Sequence, residues 1–136
     1  MAKRTSNGKA TVLAVDDEAD ILYALDLAFA DFLPGVQLLK ATSGQEGLQV
    51  LDRHKVEVIL SDYKMPGMNG LDFLIEARRR NPGIKSVLVT AFPSPALARA
   101  AEDQAGTALV VAKPFDAEHL AGTVQVLLAS LAQSAA

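Results

Sequence analysis

Five short apolar runs alternate with five longer stretches of helical periodicity, and this alternation predicts an α/β domain built on a parallel sheet. The strand candidates support it, because Val12-Leu13-Ala14-Val15, Val58-Ile59-Leu60, Val87-Leu88-Val89 and Leu109-Val110-Val111 are apolar without alternation. Strands covered by helices on both faces read that way. Size agrees as well: 136 residues, 50% hydrophobic and 21% charged, fit one domain with a core of its own.

The first strand is expected over Thr11 to Val15. A helix follows in which Ile21, Leu25, Ala28, Phe29 and Phe32 share one face, until Pro34-Gly35 stops it. Val36 to Ala41 is the second strand. Ser43-Gly44-Gln45-Glu46 has the capping-box pattern and opens a helix through about Arg53. The third strand is expected over Val56 to Ser61. Its helix runs from about Leu71 to Arg80, with Leu71, Leu74 and Ile75 inward, and Asn81-Pro82-Gly83 ends it. Ser86 to Thr90 is the fourth strand, and Ser94-Pro95 supplies the cap and first-turn proline of a helix ending near Gly106. Ala108 to Ala112 is the fifth strand. Asp116 opens a last helix whose stripe is Leu120, Val124, Leu127, Leu128 and Leu131. Residues 1–10 are expected to form a flexible arm, 11–131 the folded domain, and 132–136 a tail.

Composition removes several classes of function. There is no Cys, so disulfides, thiolate metal sites and Cys nucleophiles are excluded. The net charge of −3 argues against direct nucleic-acid binding, which calls for a basic face. The basic start, Met1-Ala2-Lys3-Arg4, lacks the apolar region of a secretory signal, and no apolar run approaches the roughly 20 residues of a membrane span. A cytoplasmic protein without membrane insertion is the expectation. His54 and His119 show no ligand spacing, and Arg78-Arg79-Arg80 suits the negative end of a helix.

In open α/β sheets functional groups gather beyond the carboxyl ends of the strands. Here those ends carry Asp16-Asp17-Glu18, Asp62, Thr90-Ala91 and Lys113-Pro114-Phe115. Carboxylates at close range repel unless a cation joins them. A hard divalent ion such as Mg²⁺ meets that need, binding through one or two carboxylates and a phosphate oxygen. An Asp carboxylate can also be the nucleophile of phosphoryl transfer, while Lys and Thr hold phosphoryl oxygens. Each residue has a duller reading taken alone: the acidic run as a helix cap, Asp62 as a turn residue, Thr90 as an ordinary strand residue and Lys113 as a solvated one. Their joint occurrence at four strand ends favours the chemistry.

Four motifs in order carry a family resemblance. Val15-Asp16-Asp17-Glu18 comes first, then Ser61-Asp62-Tyr63-Lys64-Met65-Pro66-Gly67-Met68-Asn69-Gly70, then Val89-Thr90-Ala91 and Ala112-Lys113-Pro114-Phe115. The sequence resembles the receiver domain of two-component response regulators over about residues 10–131. The resemblance implies a flavodoxin-like, doubly wound five-stranded parallel sheet of order 2-1-3-4-5 with five flanking helices. It implies that Asp62 is the phosphoacceptor, Thr90 the switch hydroxyl and Lys113 the partner of the phosphoryl group. Asp16, Asp17, Asp62 and the backbone carbonyl of Lys64 are the implied Mg²⁺ ligands. A cis Lys113-Pro114 bond is common in the family. The implied donor is a sensor histidine kinase or a phosphotransfer protein, and the implied receiver of the signal is a downstream protein or output domain. The surface that changes is the face formed by the fourth helix, fifth strand and fifth helix, through which a homodimer is a further expectation.

Two features depart from the family pattern. Val110 stands where many receivers carry a rotating Tyr or Phe, and the loop Phe92-Pro93-Ser94-Pro95 holds two prolines that favour extended backbone before each. These leave room for a receiver-like adaptor acting without phosphorylation. A haloacid-dehalogenase-like phosphatase uses a related residue set, but there the nucleophile comes first, as Asp-x-Asp, and the acidic pair last. Here the acidic pair comes first and Asp62-Tyr63-Lys64 lacks the second Asp, so a turnover enzyme is not expected.

Overall fold

A computed structural model describes residues 9–134, Ser134 by its backbone alone. The strands are β1 (Ala10–Val15), β2 (Val36–Ala41), β3 (Val58–Asp62), β4 (Lys85–Thr90) and β5 (Leu109–Ala112). Between and after them lie α1 (Ala19–Phe32), α2 (Gly44–Arg53), α3 (Gly70–Arg80), α4 (Pro95–Ala105) and α5 (Ala117–Ser134). All neighbouring strands are parallel, in the order β2-β1-β3-β4-β5. This is the doubly wound arrangement expected from the sequence.

Strand side chains alternate between two core layers. Leu13, Val15, Ile59 and Leu88 meet Phe73, Leu74, Ala77, Ala101 and Ala105 on the face covered by α2, α3 and α4. Val12, Ala14, Val58, Leu60, Val87 and Val89 meet Leu22, Leu25, Phe29, Leu120 and Val124 of α1 and α5 on the other. The side strands are covered less: β2 is mostly half-buried and Leu109 of β5 is 44% exposed, because an edge strand lacks a neighbour on one side. Among the described residues no helix is long and apolar enough to cross a membrane.

The caps follow the sequence closely. Ser43 Oγ accepts from the Glu46 N–H at 3.1 Å, while Glu46 Oε1 accepts from the Thr42 N–H at 2.7 Å, one residue before the usual partner in a capping box. Ser94 Oγ accepts from the Leu97 N–H, and Gly106 ends α4 in the left-handed region at φ 64°.

Several expectations are corrected. The third strand is Val58–Asp62, two residues late at its start, so Asp62 closes the strand and does not follow it. Phe32 is 46% exposed; α1 ends there, and Leu33, leaving helical geometry, turns into the core in its place. On α3 the buried stripe is Gly70, Phe73, Leu74 and Ala77, with Leu71 and Ile75 only half-buried. Ala10, assigned to the flexible arm, begins β1 because it pairs with Val36, and α5 continues through Ser134, past the expected boundary at 131. Residues 1–8 of that arm and 135–136 of the tail lie outside the described residues.

One glycine is demanded by a close approach. A Cβ on Gly70 would lie 2.0 Å from the Asp62 carbonyl oxygen and 2.9 Å from Tyr63 Cα. The turn is drawn tight by the Gly70 N–H donating to the Tyr63 carbonyl at 2.7 Å. Both obstacles are backbone, so an added methyl has nowhere to go. Gly70→Ala should destabilise the protein by at least the roughly 1–3 kcal/mol of an overpacked core. Gly122→Ala, in exposed α5 with nothing within 4 Å, should stabilise it by about 0.5–1 kcal/mol through helix propensity. Urea denaturation of the two variants checks this; equal midpoints would remove the steric account of Gly70.

Candidate functional site

Parallel strands about 4.8 Å apart bring their carboxyl ends into one row. Asp62 is the last residue of β3, and Asp16 follows the last residue of its neighbour β1. The Asp16 N–H donates to the Ala41 carbonyl at 3.1 Å, which carries the sheet bonding one residue past β1. Thr90 ends β4, adjacent to β3 on the other side. Lys113 follows β5, two strands from β3, and its N–H donates to the Thr90 carbonyl at 2.8 Å. Only a long side chain returns from that distance. The Lys113-Pro114 peptide bond is cis.

The Lys113 ammonium reaches the carboxylates. Its Nζ stands 3.0 Å from Asp16 Oδ2, 3.3 Å from Asp62 Oδ1 and 3.9 Å from Glu18 Oε1. Asp16 and Asp62 are buried and Asp17 is exposed, and one carboxylate oxygen from each of the three lies within 4.8 Å of the others. The first helix does not use the acidic run as a side-chain cap. Glu18 is its N-cap residue without a capping bond, and Asp16 Oδ1 accepts the Glu18 N–H at 2.8 Å.

Burial raises the Asp62 carboxyl above its ordinary value, and the charge of Asp16 raises it further; Lys113 opposes both, and Asp17 adds to the rise. Burial pulls the Lys113 ammonium down, but its hydrogen bond to Asp16 and the charges of Asp16 and Asp62 outweigh that and leave it raised. One ammonium is therefore shared by two buried carboxylates, with two further acids beside them. This oxygen-only, carboxylate-rich set fits a hard divalent cation such as Mg²⁺.

A cleft of about 270 Å³ opens over Asp62, lined also by Glu18, Tyr63, Lys64, Thr90, Ala91, Phe92 and Lys113. A second hollow beside it is lined by Asp17, Glu18, Lys64, Met65 and Pro66. The Thr90 hydroxyl is buried and accepts the Phe92 N–H at 3.2 Å. Phe92 itself is 83% exposed at the rim. Val110 is half-buried and packed against the α2–α4 core layer.

All six residues singled out from the sequence thus sit at this end of the sheet. Asp16, Asp17, Asp62 and Lys113 meet at the distances given, and Thr90 and Lys64 line the cleft. Sequence reasoning quoted Gly70 only as part of a motif and missed its role: it is the position where the turn behind the site passes too close to the Asp62 backbone for any side chain.

Comparison with known proteins agrees with the geometry. Residues 12–125 match the family model described as the response regulator receiver domain. The chain is 36% identical to the transcriptional regulatory protein GlrR of Escherichia coli K12 over 115 residues, covering 85% of this chain and 25% of that protein. It spans about a quarter of the length of such regulators. It is 32% identical to a probable chemotaxis protein CheY of Rhizobium etli, covering 90% of this chain and 95% of that protein. Among solved structures, the chemotaxis protein CheY4 of Vibrio cholerae superimposes with a TM-score of 0.80 at 29% identity, over 88% of this chain and 99% of that one.

The raised Asp62 carboxyl makes a prediction about stability. A carboxyl whose folded pKa lies above its unfolded value contributes stability below the unfolded pKa, ordinarily 3.8, and loses it as pH rises through the folded value. In chelator at neutral pH, Asp62→Asn should therefore melt above the unsubstituted protein, and the gap should close on acidification toward pH 4. Added Mg²⁺ should stabilise the unsubstituted protein more than the variant. Thermal melts against pH, with chelator and with Mg²⁺, decide it. A variant that melts lower in chelator at pH 7 would contradict the charge account.

Proposed function

The chain belongs to the response regulator receiver domains, and from that membership we propose that it is a phosphorylation switch in which Asp62 accepts a phosphoryl group in a Mg²⁺-dependent reaction. The observation that carries the reading is the meeting of buried Asp62 with Asp16, Asp17 and the Lys113 ammonium at the carboxyl ends of the strands. The donor in this reading is a sensor histidine kinase or a phosphotransfer protein.

Asp16, Asp17, Asp62 and the backbone carbonyl of Lys64 would hold the ion. Bound there, Mg²⁺ offsets the carboxylate charge and draws electron density from the phosphoryl oxygens. The work of the chain's own groups follows from their positions. An Asp62 oxygen attacks phosphorus, forming the O–P bond as the P–N bond to the donor imidazole breaks with its electron pair on nitrogen. Lys113, already 3.3 Å from Asp62, exchanges a carboxylate contact for a phosphoryl oxygen. Thr90 accepts the Phe92 N–H, so a side-chain rotation that carries its oxygen toward the phosphoryl group would break that bond and free the start of the Phe92–Pro95 loop.

The signal in this reading is the difference in contacts between the two states. It passes from the loop to the α4–β5–α5 face, and from there to a downstream protein or an output domain. α4 is poised for this: within it only Ala101 and Ala105 are buried, and small side chains hold a helix weakly. Val110 packs into the core and leaves Thr90 and its loop as the route outward. The reading assigns no direct nucleic-acid contact and no catalytic turnover beyond slow hydrolysis of the adduct.

Incubation with Mg²⁺ and acetyl phosphate, read by intact mass, tests the reading. A single hydroxylamine-labile phosphoryl adduct is expected, absent in Asp62→Asn and in chelator. Asp17→Asn should lower the rate at limiting Mg²⁺ by at least ten-fold, about 1.4 kcal/mol in transition-state stabilisation. No adduct in the unsubstituted protein would overturn it.

A further inference from the structure

Glu18 is an acid that neither the implied ion nor the helix uses. Its backbone caps α1, and its own N–H is pinned by Asp16 Oδ1, but its carboxylate accepts no bond from the helix. The side chain is 66% exposed, and among the described residues its charged partner is Lys113, at 3.9 Å. Glu18 and Lys64 are the two residues that line both the cleft over Asp62 and the hollow beside Asp17. A negative charge thus belongs to the lining of the cleft over Asp62, alongside the positive charges of Lys64 and Lys113. The Glu18 backbone is anchored by the bond to Asp16, and its carboxylate stands within 3.9 Å of Lys113.

We propose that Glu18 is a specificity-determining residue for the phosphoryl donor, disfavouring small donors in proportion to their negative charge. The proposal rests on the phosphoacceptor reading of Asp62. Coulomb repulsion in a wet cleft mouth is worth a modest factor per unit of donor charge, and it multiplies with each further unit. A doubly charged donor is therefore held back more than a singly charged one. Acetyl phosphate is the doubly charged probe: Asp62 attacks phosphorus, the P–O bond breaks, and acetate leaves with the electron pair. Phosphoramidate in its zwitterionic form is the singly charged probe: the P–N bond breaks and ammonia leaves. The acceptor and the bond formed are the same in both, and the leaving-group difference is common to every variant, so the change in the rate ratio when Glu18 is substituted reports donor charge.

The experiment measures adduct formation from each probe, at saturating Mg²⁺, in the unsubstituted protein, Glu18→Gln and Glu18→Asp. Glu18→Gln should raise the rate about four-fold with acetyl phosphate and about two-fold with phosphoramidate at low salt. Molar salt, with a screening length near 3 Å, should erase most of both gains. Glu18→Asp keeps the charge and should keep the donor ratio of the unsubstituted protein. A role confined to holding Lys113 would change both rates by one factor, and an unchanged ratio in Glu18→Gln therefore overturns the proposal while leaving the function standing. An unsubstituted protein that reacts with neither probe overturns the function, and this proposal with it.

Discussion

Two buried carboxylates, Asp16 and Asp62, share one ammonium, and the rest of the site follows from that imbalance. Lys113 sits closer to Asp16 than to Asp62, at 3.0 Å against 3.3 Å, and satisfies neither alone. Burial and like charge raise the Asp62 carboxyl in spite of the lysine. Such a cluster is costly to leave uncompensated in a low-dielectric setting. A divalent cation among the carboxylates would ease it, as would a phosphoryl group on Asp62 to which Lys113 could transfer its contact. In the proposed switch, that imbalance would favour the phosphorylated, ion-bound state.

The fold makes that cluster possible by simple spacing. Adjacent parallel strands place Asp16, Asp62 and Thr90 side by side, and Lys113 reaches back across β4 from the edge strand. The precision comes from the backbone: the absent side chain of Gly70 leaves room for the Asp62 carbonyl, and the sheet bonds of Asp16 and Lys113 continue one residue beyond their strands. Away from this end the ionic contacts are of another kind. Glu76, held down at about 2 by hydrogen bonds from Arg79 and Arg80, belongs with Asp52 to a solvent-facing network tying α2 to α3.

Much of this was legible in the sequence because strand ends announce themselves. An unbroken apolar run that stops at Asp16, Asp62, Thr90 or Lys113 marks both the strand and the residue at its carboxyl end. Capping patterns did the same for α2 and α4, since a cap is read from three or four adjacent residues. What stayed hidden depends on approach in space. Neither the Glu18–Lys113 pair, 95 positions apart, nor the close approach of the Gly70 and Asp62 backbones has a local signature. The exchange of Phe32 for Leu33 at the end of α1 turns on where the helix stops, which periodicity fixes only to within a residue or two. The half-exposed β5 follows from edge position, and edge position is a property of topology.

The acidic cluster at the strand ends has the donor set that a hard divalent cation takes. A Mg²⁺ titration followed by backbone amide resonances tests it most directly. Saturable shifts are expected at Asp16, Asp17, Asp62 and Lys64 and their sheet neighbours, with none of comparable size at the Asp52–Glu76 network. Shifts absent at the strand ends, or no larger there than at that exposed network, would contradict it.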